Sequence, residues 1–330
     1  MLQVRIAVAF RCEQGDSYLL LILLSLRTKM YSTMKKHTIG DWMKALRPWS
    51  FPASAMPIIV TLSYLFWKGA QVNWLIGVWV LITMVLFHAA GNTWSDYFDF
   101  KRGVDRNDTF GADTMTTGMF EPKEIKTLAS ALLVVSCLSG IGIFLMTGAT
   151  VLWCGIAGAV LVLLYPFLKY NAFGDLDILL TFAFIPVLGV TYAVTGSFDW
   201  ESVFIIALPV GLITDGILHS NNTRDLEHDG RAGITTMAMC LGKRTSAWFY
   251  GFEVLFPYVW VAVCSIKGGM PILTVIVFMT LPVAIACSKT MKNSVEGGSQ
   301  MIADLDIRTA NLQLMFSMLL SLSFVIARFI

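Results

Sequence analysis

Nine apolar windows of about 20 residues fall near 51–67, 74–92, 128–146, 151–168, 176–196, 202–220, 248–266, 270–288 and 310–328. A run of that length, wound as an α-helix, matches the hydrocarbon thickness of a bilayer. Lipid offers the backbone no hydrogen-bond partners, so these segments must satisfy their amides internally, and helices do so within one segment. Composition agrees: 56% of the 330 residues are hydrophobic and 14% charged, where a soluble domain carries about a quarter charged. The expected fold is all-α, a polytopic membrane protein whose nine transmembrane helices enclose a central cavity. Interior prolines such as Pro57, Pro186, Pro209 and Pro257 are tolerated in such helices and are expected to kink them.

Charge sets the orientation. From Met34 onward, 17 Lys and Arg residues fall on one side of this array and three (Lys68, Lys267 and Arg328) on the other. By the positive-inside rule the rich side is cytoplasmic, which puts the start of the helical array and the cavity mouth there. Residues 18–26 form an apolar run too short to span a bilayer, and no cleavage site of small residues follows it. Residues 1–33 therefore read as an N-terminal extension outside the functional domain, with 34–330 as a single membrane domain. Whether Met1 or Met34 begins the functional protein is open at this stage. The net charge of +2 gives no reason to expect a nucleic-acid partner. The six scattered cysteines form no CxxC pair and read as small apolar residues. The four histidines are also dispersed; His219 and His228, near the second acidic stretch, read as polar lining.

Two acidic stretches follow directly on apolar windows. The first holds Asn92, Ser95, Asp96, Asp99, Lys101, Arg102, Gly103 and Asp105, and the second Asn221, Asn222, Arg224, Asp225, Glu227, His228 and Asp229. Asn92, Asp96 and Asp99 stand at i, i+4 and i+7, and Asn222, Asp225 and Asp229 at i, i+3 and i+7, so each set would share one helical face. Asp215 and His219 would extend the second face deeper, while Glu227 and His228 fall off it. A single aspartate here could be a cap or an interfacial ion pair, as Asp225 with Arg224. Two matching sets at the mouths of membrane helices point instead to a site. Opposed carboxylates can share a hard cation such as Mg²⁺, which prefers oxygen ligands and usually shares its shell with phosphate. Lys101, Arg102, Lys169 and Arg224 suit a phosphate partner. The segment Lys169, Tyr170, Gly174, Asp175 is the one polar break between the fourth and fifth windows, with Gly174 placed to permit a tight turn. Arg47, before Pro48 and Trp49, would line the site or mark the membrane surface. The long polar segments 97–127 and 221–247 are expected to be loops able to close as lids.

Taken together, Arg47-Pro48, Asp96-Tyr-Phe-Asp99 with Lys101-Arg102-Gly103-Val-Asp105, Lys169-Tyr170 with Gly174-Asp175, and Asn221 to Asp229 resemble the motifs of the UbiA superfamily of intramembrane aromatic prenyltransferases. The similarity is greatest to the 1,4-dihydroxy-2-naphthoate polyprenyltransferases of menaquinone synthesis. It runs over about residues 40–330 and includes Ala232-Gly233-Ile234-Thr235-Thr236. Ser95 departs from the family's asparagine before the first aspartate, and residues 109–118 lack an arginine expected in the naphthoate branch.

The resemblance implies a Mg²⁺-dependent transferase in a bacterial inner membrane, with its site on the cytoplasmic side. Its donor would be a polyprenyl diphosphate and its acceptor an aromatic acid, with pyrophosphate and CO₂ released in the naphthoate case. Asp96, Asp99, Asp225 and Asp229 would be the catalytic metal ligands. Lys169, Arg224, Lys101 and Arg102 would hold the diphosphate, with Asn92, Asn222, Arg47, Asp105 and Tyr170 as further contacts. Tyr97, Tyr165 and Tyr170 are placed to shield an allylic cation. Two alternatives remain: the same transfer to another acceptor (4-hydroxybenzoate, haem or a chlorin), and an ion-coupled transporter.

Overall fold

The computed structural model of the chain describes residues 37–106 and 114–330. Expectations about residues 1–33, and about 109–113 of the segment 109–118, lie outside the described residues. Two units are distinguished, 1–42 and 43–330. In the first, Thr38 caps the helix that begins at Ile39 by a reciprocal pair: Asp41 accepts from the Thr38 amide at 2.7 Å, and the Thr38 hydroxyl accepts from the Asp41 amide at 3.2 Å.

From there the chain is helical. The elements are α1 (Ile39–Leu46), α2 (Pro52–Trp67), α3 (Trp74–Arg102), α4 (Pro122–Thr147), α5 (Ala149–Lys169), α6 (Gly174–Thr195), α7 (Trp200–Arg224), α8 (Leu226–Arg231), α9 (Met237–Ile266), α10 (Ile272–Gly297) and α11 (Leu305–Ala327). Among the described residues, eight helices are long and apolar enough to cross a membrane, and a ninth results if the bent pair Ile39–Ser50 and Pro52–Trp67 counts as one span. No strand forms there; a single parallel bridge joins Asn171 to Thr235.

The helices overrun their apolar windows. α3 has 29 residues, about 43 Å at 1.5 Å per residue, against a hydrocarbon core of about 30 Å. Its last turns, which carry the first acidic stretch, therefore project past the apolar zone. The same overrun makes 221–247 mostly helix (the end of α7, all of α8 and the start of α9), so this segment is not the long lid loop expected. The first segment also shrinks, to the stretch between Arg102 and Pro122.

α7 is the central element. Five-sixths of its apolar window is buried, and Ile206, Ala207, Val210 and Ile213 pack in a core with Val60 of α2, Val254 of α9 and Phe316 of α11. Small residues permit the closest approach. A Cβ on Gly211 of α7 would stand 2.6 Å from the Ala183 Cβ of α6. α6 itself carries a π-helical turn at Leu180–Phe184, beside that contact.

Candidate active site

The first motif is assembled by two chain reversals around the end of α3. After Arg102, Gly103 takes φ 71°, and the amides of Val104 and Asp105 donate back to the Asp99 carbonyl at 2.9 and 3.3 Å. Only a residue without a Cβ adopts that turn freely, and it folds Asp105 back over the aspartates. On the other side, Arg47 sits left-handed at φ 53° before Pro48. Its Nη2 donates to Asp96 Oδ1 at 2.6 Å. Asp99 accepts three bonds: from Lys169 Nζ at 3.0 Å, the Tyr170 hydroxyl at 2.8 Å and the Ser95 hydroxyl at 3.1 Å. Asn92 donates to the Ser50 hydroxyl at 3.0 Å. Ser95 thus orients Asp99 from one turn back. Burial, with the Asp99 carboxylate alongside, pushes the Tyr170 phenol well above its ordinary value, so it remains a donor.

The second motif does not lie on one helical face. α7 ends at Arg224, Asp225 leaves helical geometry (φ −94°, ψ 9°), and Asp229 rides on the separate short helix α8. The break turns α8 back toward the first motif, and Lys169, Asp225 and Asp99 all act electrostatically on Asp229. Arg224 grips Asp225 with two parallel bonds, Nε to Oδ1 at 3.0 Å and Nη2 to Oδ2 at 2.8 Å, and reaches Asp306 Oδ1 at 3.4 Å. The ion pair with Arg224, weighed from sequence as a plain alternative, is therefore present, inside the site.

Backbone pairing ties the two motifs together. The Ala172 amide donates to the Thr235 carbonyl at 2.8 Å, and the Thr235 amide to the Tyr170 carbonyl at 3.0 Å. The reversal there is made by Ala172, at φ 65°, and not by Gly174. Gly174 serves a close approach instead: a Cβ on it would come within 3.2 Å of the Lys169 Cα.

These groups line one cavity of about 620 Å³. Asp96, Asp99, Asp105, Asp225, Asp229, Asn92, Asn222, Arg47, Lys169 and Arg224 all face it. Met84, Phe87, Val162, Ile178 and Phe182 line its apolar part. From Asp96 to Met84 is twelve residues of α3, about 18 Å, so a charged mouth opens into an apolar depth.

Seven aspartates line the cavity against four Lys and Arg side chains. Burial, then the neighbouring Asp99 and Asp96 carboxylates, push Asp105 up to about 7. Asp229 rises to about 7 through burial, with Asp225 and Asp99 adding to the rise. Surplus buried carboxylates driven toward protonation make an oxygen donor set that fits a hard divalent cation such as Mg²⁺.

Several residues stand elsewhere than expected. Lys101 and Arg102 are exposed on the outside of the α3 terminus, away from the cavity, and Arg102 lies over the Tyr170 ring at 4.9 Å. Tyr170 acts behind Asp99 and does not line the cavity; of the three tyrosines, Tyr165 does. His228 lines the cavity, in keeping with its reading as polar lining though not with its place off the shared face, while Glu227 is exposed as expected. Asp215 and His219 do not extend the site: both are wholly buried away from the cavity. Cys240 is exposed and not a buried apolar residue.

Lys44, His88, Asp177 and Asp306 line the cavity without having been singled out, and Asn221, named in the second stretch without a role, lines it too. Asp177 had a visible signal, two residues past Asp175 at a helix start. Asp306 had one too, an acid beside Arg308 at the head of the last helix, on the same side as both motifs.

The profile of the UbiA prenyltransferase family matches residues 54–301. UbiA prenyltransferase domain-containing protein 1 of Mus musculus is 31% identical over 297 residues, covering 86% of this chain and 83% of its own length. The Drosophila melanogaster homolog of that protein is 32% identical over 270 residues, covering 78% and 74%. Among solved structures, the UbiA homolog of Aeropyrum pernix K1 aligns with a TM-score of 0.64 at 14% identity, over 85% of this chain and 98% of that one. A UbiA homolog of Archaeoglobus fulgidus bound to GPP and Mg²⁺ aligns at 0.56 and 14% identity, over 85% and 99%. These two sequence relatives are animal proteins and lend no support to a bacterial inner membrane.

Proposed function

This chain belongs to the UbiA prenyltransferase family, and we propose that it transfers a polyprenyl group from a polyprenyl diphosphate to an aromatic acid, with 1,4-dihydroxy-2-naphthoate as acceptor. The observation that carries this reading is the convergence of both acidic motifs, with Lys169 and Arg224, on the mouth of one apolar-floored cavity. A homolog of like fold that binds GPP and Mg²⁺ supports the donor class. The family match argues against the transporter alternative.

Asp96, Asp99, Asp225 and Asp229 would hold Mg²⁺, which would supply Lewis-acid stabilisation of the departing pyrophosphate. Lys169 and Arg224 now rest on Asp99 and Asp225. A diphosphate entering the mouth competes for both cations and gains charge-assisted bonds from them. Lys44 and Arg47 offer charge at the rim for the acceptor's carboxylate. Met84, Phe87 and Phe182 exclude water from the allylic end of the donor, and the Tyr165 ring flanks that space. Attack by the acceptor ring carbon forms the new C–C bond as the allylic C–O bond breaks. Loss of the acceptor's carboxylate as CO₂ then restores the quinol with no net change in ring protons: if the attacking carbon sheds its proton, a proton takes the carboxylate's place on the ring. The 17-to-3 charge bias supports a cytoplasmic mouth.

The test supplies membranes containing the chain with radiolabelled prenyl diphosphate, Mg²⁺ and 1,4-dihydroxy-2-naphthoate. Labelled prenyl quinol with matching CO₂ is expected. Pyrophosphate release with 4-hydroxybenzoate but not with the naphthoate would reassign the acceptor.

A further inference from the structure

Behind the cavity wall, α6, α7 and α9 enclose a second set of chemical groups that prenyl transfer does not use. Asp175 at the head of α6, Asp215 and His219 on α7, and Glu253 on α9 are 2%, 0%, 0% and 0% exposed. None of them lines the cavity. His219 Nδ1 stands 2.6 Å from Asp175 Oδ1. One donor atom each from Asp175, His219 and Glu253 all lie within 4.8 Å of one another. The Asp215 carboxyl reaches the same place, within hydrogen-bonding distance of Glu253 and close enough to feel Asp175.

The condition of these atoms is what points to a ligand. Asp175 Oδ2 and His219 Nε2 meet no hydrogen-bond partner, and the oxygens of Asp215 and Glu253 find no donor beyond each other's carboxyl. Leaving buried polar atoms without a partner is costly, and more so where they carry charge. The charged groups acting on Asp215 and Glu253 are acidic, so they raise the cost. The basic group nearest in sequence on α7, Arg224, is engaged with Asp225 and Asp306. In the interior of a membrane bundle, an acid without a cation is the least affordable arrangement.

We propose that Asp175, Asp215, His219 and Glu253 hold one divalent transition-metal ion of the Zn²⁺ or Mn²⁺ type. One imidazole nitrogen with carboxylate oxygens is a donor set for such ions, whereas the aspartates at the cavity mouth suit Mg²⁺. Two positive charges at the centre answer the unpartnered lone pairs together. The short His219–Asp175 contact matches the carboxylate support that fixes a ligating imidazole's tautomer and tilt. The four residues come from three helices and are sealed from solvent, the form of a structural site rather than one that turns over substrate. Its effect is to pin α6 and α9 to the back of α7, whose Thr214, Leu218 and Asn221 face the cavity.

The experiment uses the full chain, purified in detergent from cells grown with added Zn²⁺ and Mn²⁺ and dialysed against metal-free buffer, with metal counted by plasma mass spectrometry. About one equivalent per chain is expected, with imidazole scattering in its X-ray absorption spectrum. His219→Gln and Glu253→Gln are each expected to lower retention by about tenfold or more, and Asp96→Asn, at the cavity mouth, is expected to keep the ion. Wild-type protein that carries neither metal, and whose melting temperature does not rise when either is added, would overturn the proposal in favour of protons shared between the carboxylates. Metal retained by both variants, or bound without imidazole scattering, would overturn it equally. The wild-type measurements decide the matter even if a variant does not fold.

Discussion

Arg47 holds a left-handed backbone conformation that costs a residue with a Cβ about 1–2 kcal/mol, and the ring of Pro48 restricts it further. What it gains is a guanidinium placed 2.6 Å from a buried carboxylate. Arg47→Gly relieves the backbone and removes the charge, so we expect its melting temperature to stay close to wild type while prenyl transfer falls at least tenfold; paired thermal-shift and turnover assays separate the two. Asp96→Ala and Asp225→Ala should each abolish Mg²⁺-dependent transfer in a folded membrane protein, and full turnover in either would remove that residue from the metal set. Lys169→Met should raise the KM for prenyl diphosphate and lower kcat, since its ammonium, which bonds the resting Asp99, would on the proposed mechanism also bond the developing pyrophosphate.

Among the elements, α6 and α7 approach backbone to backbone at Gly211 and Ala183, where a Cβ on the glycine would stand 2.6 Å from that of the alanine. Gly211→Ala puts a methyl group into that contact, and overpacking of this kind costs about 1–3 kcal/mol. Because Asp177 and Thr181 on α6 and Asn221 on α7 line the cavity, we expect both a lower melting temperature and weaker transfer. A variant that loses neither would show that the helices separate without cost. The existence and order of the spans were legible in sequence because about 20 apolar residues in a row allow few other fates. Their ends were not: hydropathy falls where Asn92 begins the polar run, yet the backbone continues as helix to Arg102, since helical hydrogen bonds are as serviceable in the interface as in lipid. The Asp225 break was hidden for the same reason, because neither proline nor glycine marks it. The spacing of the first motif read correctly as one face, and the second reached the same cavity through a bend that periodicity does not encode. Ala172 shows the limit at a turn: tertiary pairing with Thr235 imposed φ 65° on a residue with no propensity for it, while the neighbouring glycine served packing.

For the molecule as a whole, the surplus of acids at the mouth links folding to pH and to cations. Asp105 and Asp229 ionise near 7 in the folded chain and near 4 when unfolded. The folded state therefore binds their protons more tightly. The stability these two contribute is full below about pH 4 and is lost as pH rises through 7. Metal-free protein should accordingly melt at a lower temperature at pH 8 than at pH 5.5, insofar as these groups dominate, and Asp229→Asn should flatten the trend. Added Mg²⁺ should raise the melting temperature more at pH 8 than at pH 5.5, because protons and metal compete for the same oxygens. A metal-induced rise that is larger at pH 5.5 would contradict the assignment of these carboxylates.

The length of α3 bears on how a greasy product departs. Its final turns stand clear of the hydrocarbon and carry the charged mouth, while the same helix, some 18 Å lower, borders the space for the tail. A long-chain isoprenoid can thus be severed from its headgroup without its tail ever entering water. Under the proposed reaction, pyrophosphate would leave by the charged mouth while the prenylated product, its tail already in the apolar space, would stay with the bilayer, so that its onward traffic would be two-dimensional diffusion.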